Sequence, residues 1–568
     1  MAQLVWQGLV NMPAIWGEGA LFAFSGMDGE TQTHSGFVAT FAREPYGLLI
    51  HTPRRRILDV RLALPATPAL VTGDVLVART PEGDLAYAYS SWDTIIGRLP
   101  RGTELALRFE DETPVSPAGG ARVTWDELHH DAVALATLGE RFALCYASSA
   151  EKAICGAESA LALDLESVMA ERLATYGRLP ALADPAQDRL LKKCWSVMRV
   201  NTLGPEGVFT RRWSTPDRVP HRHMWLWDSV FHTFGMNHID PELSWDFLLS
   251  VLDQQREDGM IPHCMHVDGT VSEITQPPIL AAGVWEAYRH LRDRERLAYA
   301  LPRLLRYLEW NAQHRDRNSN GLLEWYIEEN ESCRSGESGM DNSQRFDRAV
   351  LLDAVDFSTF QSLDWMATAR IARELGDLPT AEVCAGRGAN LAGQIHDLLW
   401  DEEDGFYYDR DMDGRLTRVK AVSGFLPLLL ADIAPDRIGC LVQALADPGT
   451  FAASFPIPSA SLGDPSWSTD MWRGSTWLNM DYLVLRGLCQ HGYLAQVQDL
   501  RDAILAHVGK YYEQYGVIFE FYDARDEISP VACDRKGERR EPYDVRVKMD
   551  SIRDYHWSAA LVFDLLLE

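Results

Sequence analysis

Pro185-Ala-Gln-Asp-Arg-Leu-Leu-Lys-Lys-Cys-Trp-Ser-Val-Met-Arg-Val-Asn201 is where the chain changes its period. Leu190, Leu191, Cys194, Trp195 and Met198 recur at three- and four-residue steps, the spacing of one helix face. Upstream, runs such as Ala69-Leu-Val-Thr-Gly-Asp-Val-Leu-Val-Ala78 and Glu104-Leu-Ala-Leu-Arg-Phe-Glu110 are short, alternate in polarity and are broken by Gly, Pro and Asp. That pattern predicts an antiparallel β-sandwich over residues 1–175. Within it, Ser159 to Leu173 reads as a linking helix, ending near Gly177 and Pro180. Downstream, helices are predicted over 185–201, 225–237, 241–257, 278–292, 297–313, 357–375, 378–399, 420–432, 435–446, 473–490, 493–514 and 553–567. About twelve helices without a repeated sequence period argue for a closed ring of six helical hairpins rather than an open solenoid. The expected fold is therefore mainly α, an (α/α)6 barrel over 180–568 preceded by the sandwich. The longest irregular stretches, about 314–356, 448–472 and 515–552, are the loops where a site is sought first.

At 568 residues the chain exceeds one ordinary core, which agrees with two domains. A net charge of -28 excludes nucleic acid and anionic membranes as partners, since both are bound through Lys and Arg. The 18 Trp fit a carbohydrate site, where flat sugar faces stack on indoles, although most serve as core. Nine Cys, an odd number with no CxxC pair, read as reduced thiols. The opening Met1-Ala-Gln-Leu-Val-Trp-Gln has no positive n-region, and no window approaches eighteen apolar residues. A cytoplasmic protein with a small carbohydrate substrate is expected.

Three segments carry chemistry. In Glu337-Ser-Gly-Met-Asp341-Asn-Ser-Gln-Arg-Phe-Asp347, small residues let the backbone turn and present Asp341, while Asn342, Ser343 and Arg345 fix its orientation. Glu337 is the expected anionic neighbour that keeps a proton on Asp341. In Gly516-Val-Ile-Phe-Glu520-Phe-Tyr-Asp523 a Glu stands inside an apolar and aromatic run, where it needs a partner or a task. In Trp225-Leu-Trp227-Asp228-Ser-Val-Phe231-His232, Trp227 and Phe231 share a helix face and Asp228 stands at its start. Each segment has an alternative reading as turn, core or cap. Two carboxylates on opposite loops are nevertheless what glycoside hydrolysis uses, one protonating the leaving oxygen and the other activating water.

Taken with four further pieces, these segments resemble glycoside hydrolase family 63, with weaker similarity to the family 37 trehalases of the same clan. The other pieces are Asp258-Gly-Met-Ile-Pro-His263, Gln276-Pro-Pro-Ile279, Trp472-Arg-Gly-Ser-Thr-Trp477 and His556-Trp-Ser558. They fall in the family's order across 185–568. The resemblance implies an inverting hydrolase of an α-linked glucose or mannose, in a disaccharide, short oligosaccharide or glycosyl-acid. It puts the general acid on Asp341 and the general base on Glu520. Sugar-binding positions fall on Trp227, Asp228, Gln276, Trp472, Arg473 and Trp477, and the matched pieces add Trp225, His263, Glu337 and Trp557. No cofactor is required.

Asp316, Asn318, Asn320 and Glu324 space oxygen atoms as a calcium loop does, and family members hold a structural calcium in such a loop. Ile327 at the twelfth position excludes an EF-hand. Three other functions remain compatible with the residues. A disaccharide phosphorylase would use Asp341 with phosphate in place of water, and an epimerase would use His221, His223 and His556. A carbohydrate-binding protein without activity would need neither carboxylate.

Overall fold

The alternating runs at the start of the chain form two antiparallel sheets in the computed structural model, which describes residues 15–33, 37–113, 122–330, 332–537 and 550–568. The five-stranded sheet runs in the order Leu21–Phe22, Ala39–Phe41, Leu48–Ile50, Arg56–Arg61 and Glu104–Phe109. The seven-stranded sheet runs Arg122–Asp126, Asp131–Leu138, Arg141–Ala147, Thr94–Arg98, Gly83–Ser91, Val75–Thr80 and Thr67–Val71. Alternation decides which side is wet: Leu105, Leu107 and Phe109 are buried on the strand that exposes Glu104. The sheets meet through Phe22, whose ring lies 5.4 Å from Tyr87 and 5.1 Å from Tyr89. Each such side chain contributes about 2 kcal/mol by leaving water.

Two helices cover the seven-stranded sheet where one linking helix was expected. Ala150–Ala160 packs Ala153 and Ala157 on Ala132, Ala134 and Ala136, small residues that let helix and sheet approach closely. The chain then breaks, because the Asp164 carboxylate accepts the backbone N–H of Ser167 and starts a new helix, Leu165–Leu173. Pro185–Val200 begins in the same way, with Asp184 accepting from Ala186 and Gln187. The chain divides into two compact units, and this helix belongs with the sheets. The first unit takes Met1–Arg222, Gly509–Ile518 and Arg553–Ala559, and the second takes His223–Val508, Phe519–Ile552 and Ala560–Glu568.

Helices dominate the second unit. Those at Leu226–Met236, Pro241–Asp253, Leu280–His290, Arg294–His314, Val355–Leu375, Leu378–Leu398 and Pro435–Ala446 match the expected positions, as does Leu478–Gln490 from its second turn on. Leu494–Tyr515 and His556–Leu567 also follow the sequence pattern. The stretch 420–432 forms instead a 3-10 segment, Val422–Leu429, because Pro427 lies inside it and has no N–H to give. Residues 474–477 are not helical, since Thr476 exchanges backbone hydrogen bonds with Tyr522 at 2.8 and 3.1 Å. Val355–Leu375 turns into Leu378–Leu398 within two residues. Gly376 sits at φ +89°, and Asp377 caps the next helix by accepting from Thr380. Leu308, Trp365, Ala369 and Cys384 then bind this hairpin to the helix Arg294–His314. The chain as a whole is mixed, 41% helical and 18% strand, rather than mainly α. The N-terminal sheets supply most of the strand content. No helix among the described residues is long and apolar enough to cross a membrane, and no disulfide joins any of the nine cysteines.

Candidate active site

Small residues and one buried cation build the Asp341 turn. Gly336–Ser338 forms a short 3-10 turn, and Gly339 follows at φ +71°. A Cβ on Gly339 would lie 2.2 Å from Cζ2 of Trp227, so only glycine lets this turn lie against that ring. Ser335 N–H donates to the Asp341 carbonyl at 3.2 Å and closes the turn. Four residues on, Arg345 is buried between Asp356 (2.6 and 2.9 Å) and Asp409 (2.7 and 2.8 Å). Asn342 accepts from the Trp472 N–H at 3.1 Å and donates to the Asp470 carbonyl at 3.2 Å. Asn342 and Arg345 both tie the turn to neighbouring segments.

Asp341 keeps 21% of its side chain exposed, and its Oδ2 lies 2.7 Å from Nζ of Lys536. Burial pushes its carboxyl up, but the Lys536 ammonium, Arg535 and His263 outweigh burial and hold it below its usual range. Glu337 is not the neighbour that acts on it. Glu337 is fully buried, pairs with Arg315 at 2.7 Å and accepts the backbone N–H groups of Thr275 and Tyr326. A carboxylate compensated in this way exerts little anionic pressure on a residue four positions on, so the expected proton-holding role of Glu337 is corrected.

Glu520 sits at a bend in the irregular segment after the helix Leu494–Tyr515. Its N–H donates to the Ile552 carbonyl at 2.8 Å, and the flanking Phe521 N–H donates to Ser551 Oγ at 3.0 Å. Only 2% of the residue is exposed. Arg535 grips both carboxylate oxygens, Nε to Oε2 at 2.9 Å and Nη2 to Oε1 at 3.0 Å. Consecutive residues of one segment, Arg535 and Lys536, therefore reach the two candidate catalytic carboxylates. That basic pair escaped the sequence reading; its signal was Asp534-Arg-Lys-Gly537, inside the irregular stretch next to Glu520.

Aromatic rings line the same region. Trp472 stacks on Trp477 at 3.8 Å, Trp477 on Phe521 at 4.8 Å, and Trp227 lies 6.5 Å from Trp472. All three Trp are nearly fully buried, as are Asp228 and Gln276. Gln276 accepts from the Trp227 N–H at 3.1 Å and so sets the start of that helix. Trp225 and His263 remain half-buried and meet edge to face at 4.7 Å, placed by the pairing of Met224–Trp225 with Cys264–Met265. Burial pushes the His263 imidazole down to about 4, against the pull of Asp341, which makes it a neutral hydrogen-bonding group at neutral pH. Arg473 spends its guanidinium on Asp347 at 2.9 Å. Trp557 falls in the other compact unit, against Tyr555 at 4.9 Å.

In the 316–324 loop, Asp316 accepts the N–H groups of Asn320 and Gly321, and Glu324 those of Arg317 and Asn318. The Asn318 and Asn320 amides turn their nitrogens toward Asp353 at 2.8 and 2.7 Å. These bonds make the loop an Asx-rich turn. Among the described residues no group of three His, Cys, Asp or Glu is arranged to hold a metal.

Residues 221–558, the part of the chain that carries both carboxylates, match the family model described as the mannosylglycerate hydrolase MGH1-like glycoside hydrolase domain. The protein is a glycoside hydrolase. It belongs to that MGH1-like family, within glycoside hydrolase family 63. A mannosylglycerate hydrolase of Thermus thermophilus is 27% identical over 379 residues, 53% of this chain and 88% of that one. A glucosylglycerate hydrolase of Mycolicibacterium hassiacum is 24% identical over 420 residues, 56% of this chain and 91% of that one. The crystal structure of the family 63 mannosylglycerate hydrolase from another strain of Thermus thermophilus, with Tris and D-glycerate, aligns at a TM-score of 0.54 and 25% identity. It covers 66% of this chain and 99% of that one. About a third of this chain therefore lies outside the alignment with that shorter enzyme.

Proposed function

We propose that the protein hydrolyses an α-linked glycosyl bond with inversion, Asp341 acting as general acid and Glu520 as general base. The carrying observation is that adjacent residues, Arg535 and Lys536, bind one carboxylate each, so two separate loops serve one small space. Asp341 gives its proton to the glycosidic oxygen as the bond to C1 breaks. Glu520 takes a proton from water as the water oxygen bonds to C1 from the opposite face, at a carboxyl separation of roughly 6.5–9.5 Å. Trp225, His263 and Asp228 are proposed to hold the sugar, with the Trp227, Trp472 and Trp477 stack as the wall behind it.

The relatives favour a glycosyl-glycerate over a neutral disaccharide, with glucose and mannose both open as the sugar. An (α/α)6 barrel is the proposed form of the helical region, supported by its successive helix pairs. Nine cysteines without a disulfide support a reducing compartment and hence the cytoplasm. Asp341→Asn and Glu520→Gln should each lower kcat by about 10²–10⁴-fold. NMR of the first product, run without phosphate, should show the inverted anomer. Turnover that survives both substitutions, a retained anomer or a requirement for phosphate would overturn the reading.

A further inference from the structure

The Lys536–Asp341 pair is at odds with acid catalysis as it stands. A general acid must carry a proton, yet an ammonium at 2.7 Å favours the ionised carboxylate. Lys536 is held there by its surroundings at a conformational cost. Its backbone sits at φ +57°, a conformation costly for a side chain bearing a Cβ. The Asp470 carboxylate fixes it by accepting the N–H groups of Lys536 and Gly537 at 2.6 and 2.9 Å. Asp470 is tied in turn to the acid turn through Asn342. Arg535 stays on Glu520 by two hydrogen bonds with both side chains buried, whereas the Lys536 side chain is 33% exposed and has a flexible stem. One cation of the pair is an anchor, and the other is able to move.

The charge of the whole molecule adds a second constraint. A chain of net charge -28 repels an anionic substrate at long range, so such a substrate needs cations inside the site. A neutral leaving group gives Lys536 no reason to abandon Asp341. A leaving group bearing a carboxylate offers the ammonium a replacement partner at little net cost. Among the described residues, charged or titratable groups facing Asp341 include Lys536, Arg535, His263 and the Cys333 thiol. Lys536 is the one of these whose partly exposed, flexible side chain can change partner without breaking a buried pair.

We propose that Lys536 is a selectivity residue that exchanges Asp341 for the carboxylate of an acid leaving group, so that the substrate itself frees Asp341 to take up its proton. This rests on Asp341 being the acid, and it adds a reason why an acidic substrate is preferred. After the exchange, Asp341 binds a proton from solvent and passes it to the leaving oxygen, and no other reactant is needed.

The test compares the α-glycosyl-glycerate that is turned over with its methyl ester, which keeps the sugar and linkage but removes the charge. Lys536→Met should reduce the preference for the acid over the ester by roughly tenfold to a hundredfold, the worth of a hydrogen bond to a charged group. It should also move the alkaline limb of kcat/KM for the ester to higher pH, because the ammonium that favours ionised Asp341 is gone. Lys536→Arg should keep the preference, which a merely structural role would not predict. Lys536→Gln gives the same comparison if the Met variant does not fold. A preference within twofold of the parent, or an unmoved alkaline limb, would overturn the proposal. Asp341→Asn separates that outcome from failure of the catalytic reading, since it should lower turnover of acid and ester alike by about 10²–10⁴-fold.

Discussion

Gly339→Ala tests whether the acid turn depends on its contact with Trp227. The added methyl meets Trp227 Cζ2 at 2.2 Å, with two further ring atoms at 2.7 and 2.8 Å. The ring is 2% exposed and backed by Phe231 and Trp472, so it has little room to yield. Relieving such an overpacked contact costs about 1–3 kcal/mol. The left-handed φ of +71° adds about 1–2 kcal/mol for any residue with a Cβ. Together these give roughly 2–5 kcal/mol, which at about 2 °C per kcal/mol lowers Tm by roughly 4–10 °C in a domain of this size. Asp341, the proposed acid, lies two residues along, and a displacement of about 1 Å at a group in that role costs about 10²-fold in rate. Differential scanning calorimetry and kcat on the preferred substrate read the two effects. Gly386→Ala is the control: it is a helical position with nothing within 4 Å, and it should gain up to about 1 kcal/mol. A Gly339→Ala variant with Tm within about 1 °C of the parent and unreduced kcat would refute the reasoning, because the ring would then move aside at no cost.

Arg345→Met should be more damaging, since it strands Asp356 and Asp409 as buried carboxylates without their cation. A loss of about 3–5 kcal/mol is expected, read as a large drop in Tm or as insoluble expression. Asp364 is buried against the backbone N–H groups of Ala281 and Ala282, and burial pushes its carboxyl up to about 8. The native state therefore binds the extra proton between about pH 4 and 8, and stability from this residue falls as pH rises through that window. Asp364→Asn should shrink the drop in Tm between pH 5 and pH 8; an unchanged drop would mean Asp364 is not its source. Arg315→Met leaves Glu337 uncompensated beneath the acid turn and should lower both Tm and kcat. Adding Glu337→Gln should recover part of that Tm, and failure to do so would place the damage elsewhere.

The order of helices was legible because their apolar faces repeat over ten residues or more, and period is read from the chain itself. The exceptions have local causes. Pro427 turned one predicted helix into 3-10 turns, and the Asp164 cap cut the linking helix in two. The expected boundary near 175–180 came from the change of local period, whereas compactness depends on contacts far apart in sequence. One such contact is Lys193 with Asp554 at 2.8 Å, which holds a C-terminal segment in the first unit. In the candidate site, motif order named the two carboxylates and the Trp set, but it did not name their partners. Glu337 was read as a neighbour of Asp341 because it is four residues away, yet its partner Arg315 is twenty-two residues away. Arg535 and Lys536 lie well over a hundred residues beyond Asp341, and no local pattern ties a basic pair to a particular acid.

With Asp341 as the proposed acid and Glu520 as the proposed base, the contrast between the two cations accounts for one segment supplying both. A base must accept a proton once per turnover from a fixed direction, which suits a planar guanidinium holding both oxygens of a buried carboxylate. An acid must alternate between protonated and ionised forms, which suits a single-point ammonium on a flexible stem beside a partly exposed carboxyl. Exchanging them should fail asymmetrically. Arg535→Lys removes the two-point grip, and loss of kcat should follow from a base that is no longer aimed. Lys536→Arg keeps the charge and the reach to Asp341, so its cost should appear as a slower release of the acid, with KM little changed. If Arg535→Lys were harmless while Lys536→Arg abolished activity, the roles assigned to Asp341 and Glu520 would have to be reversed.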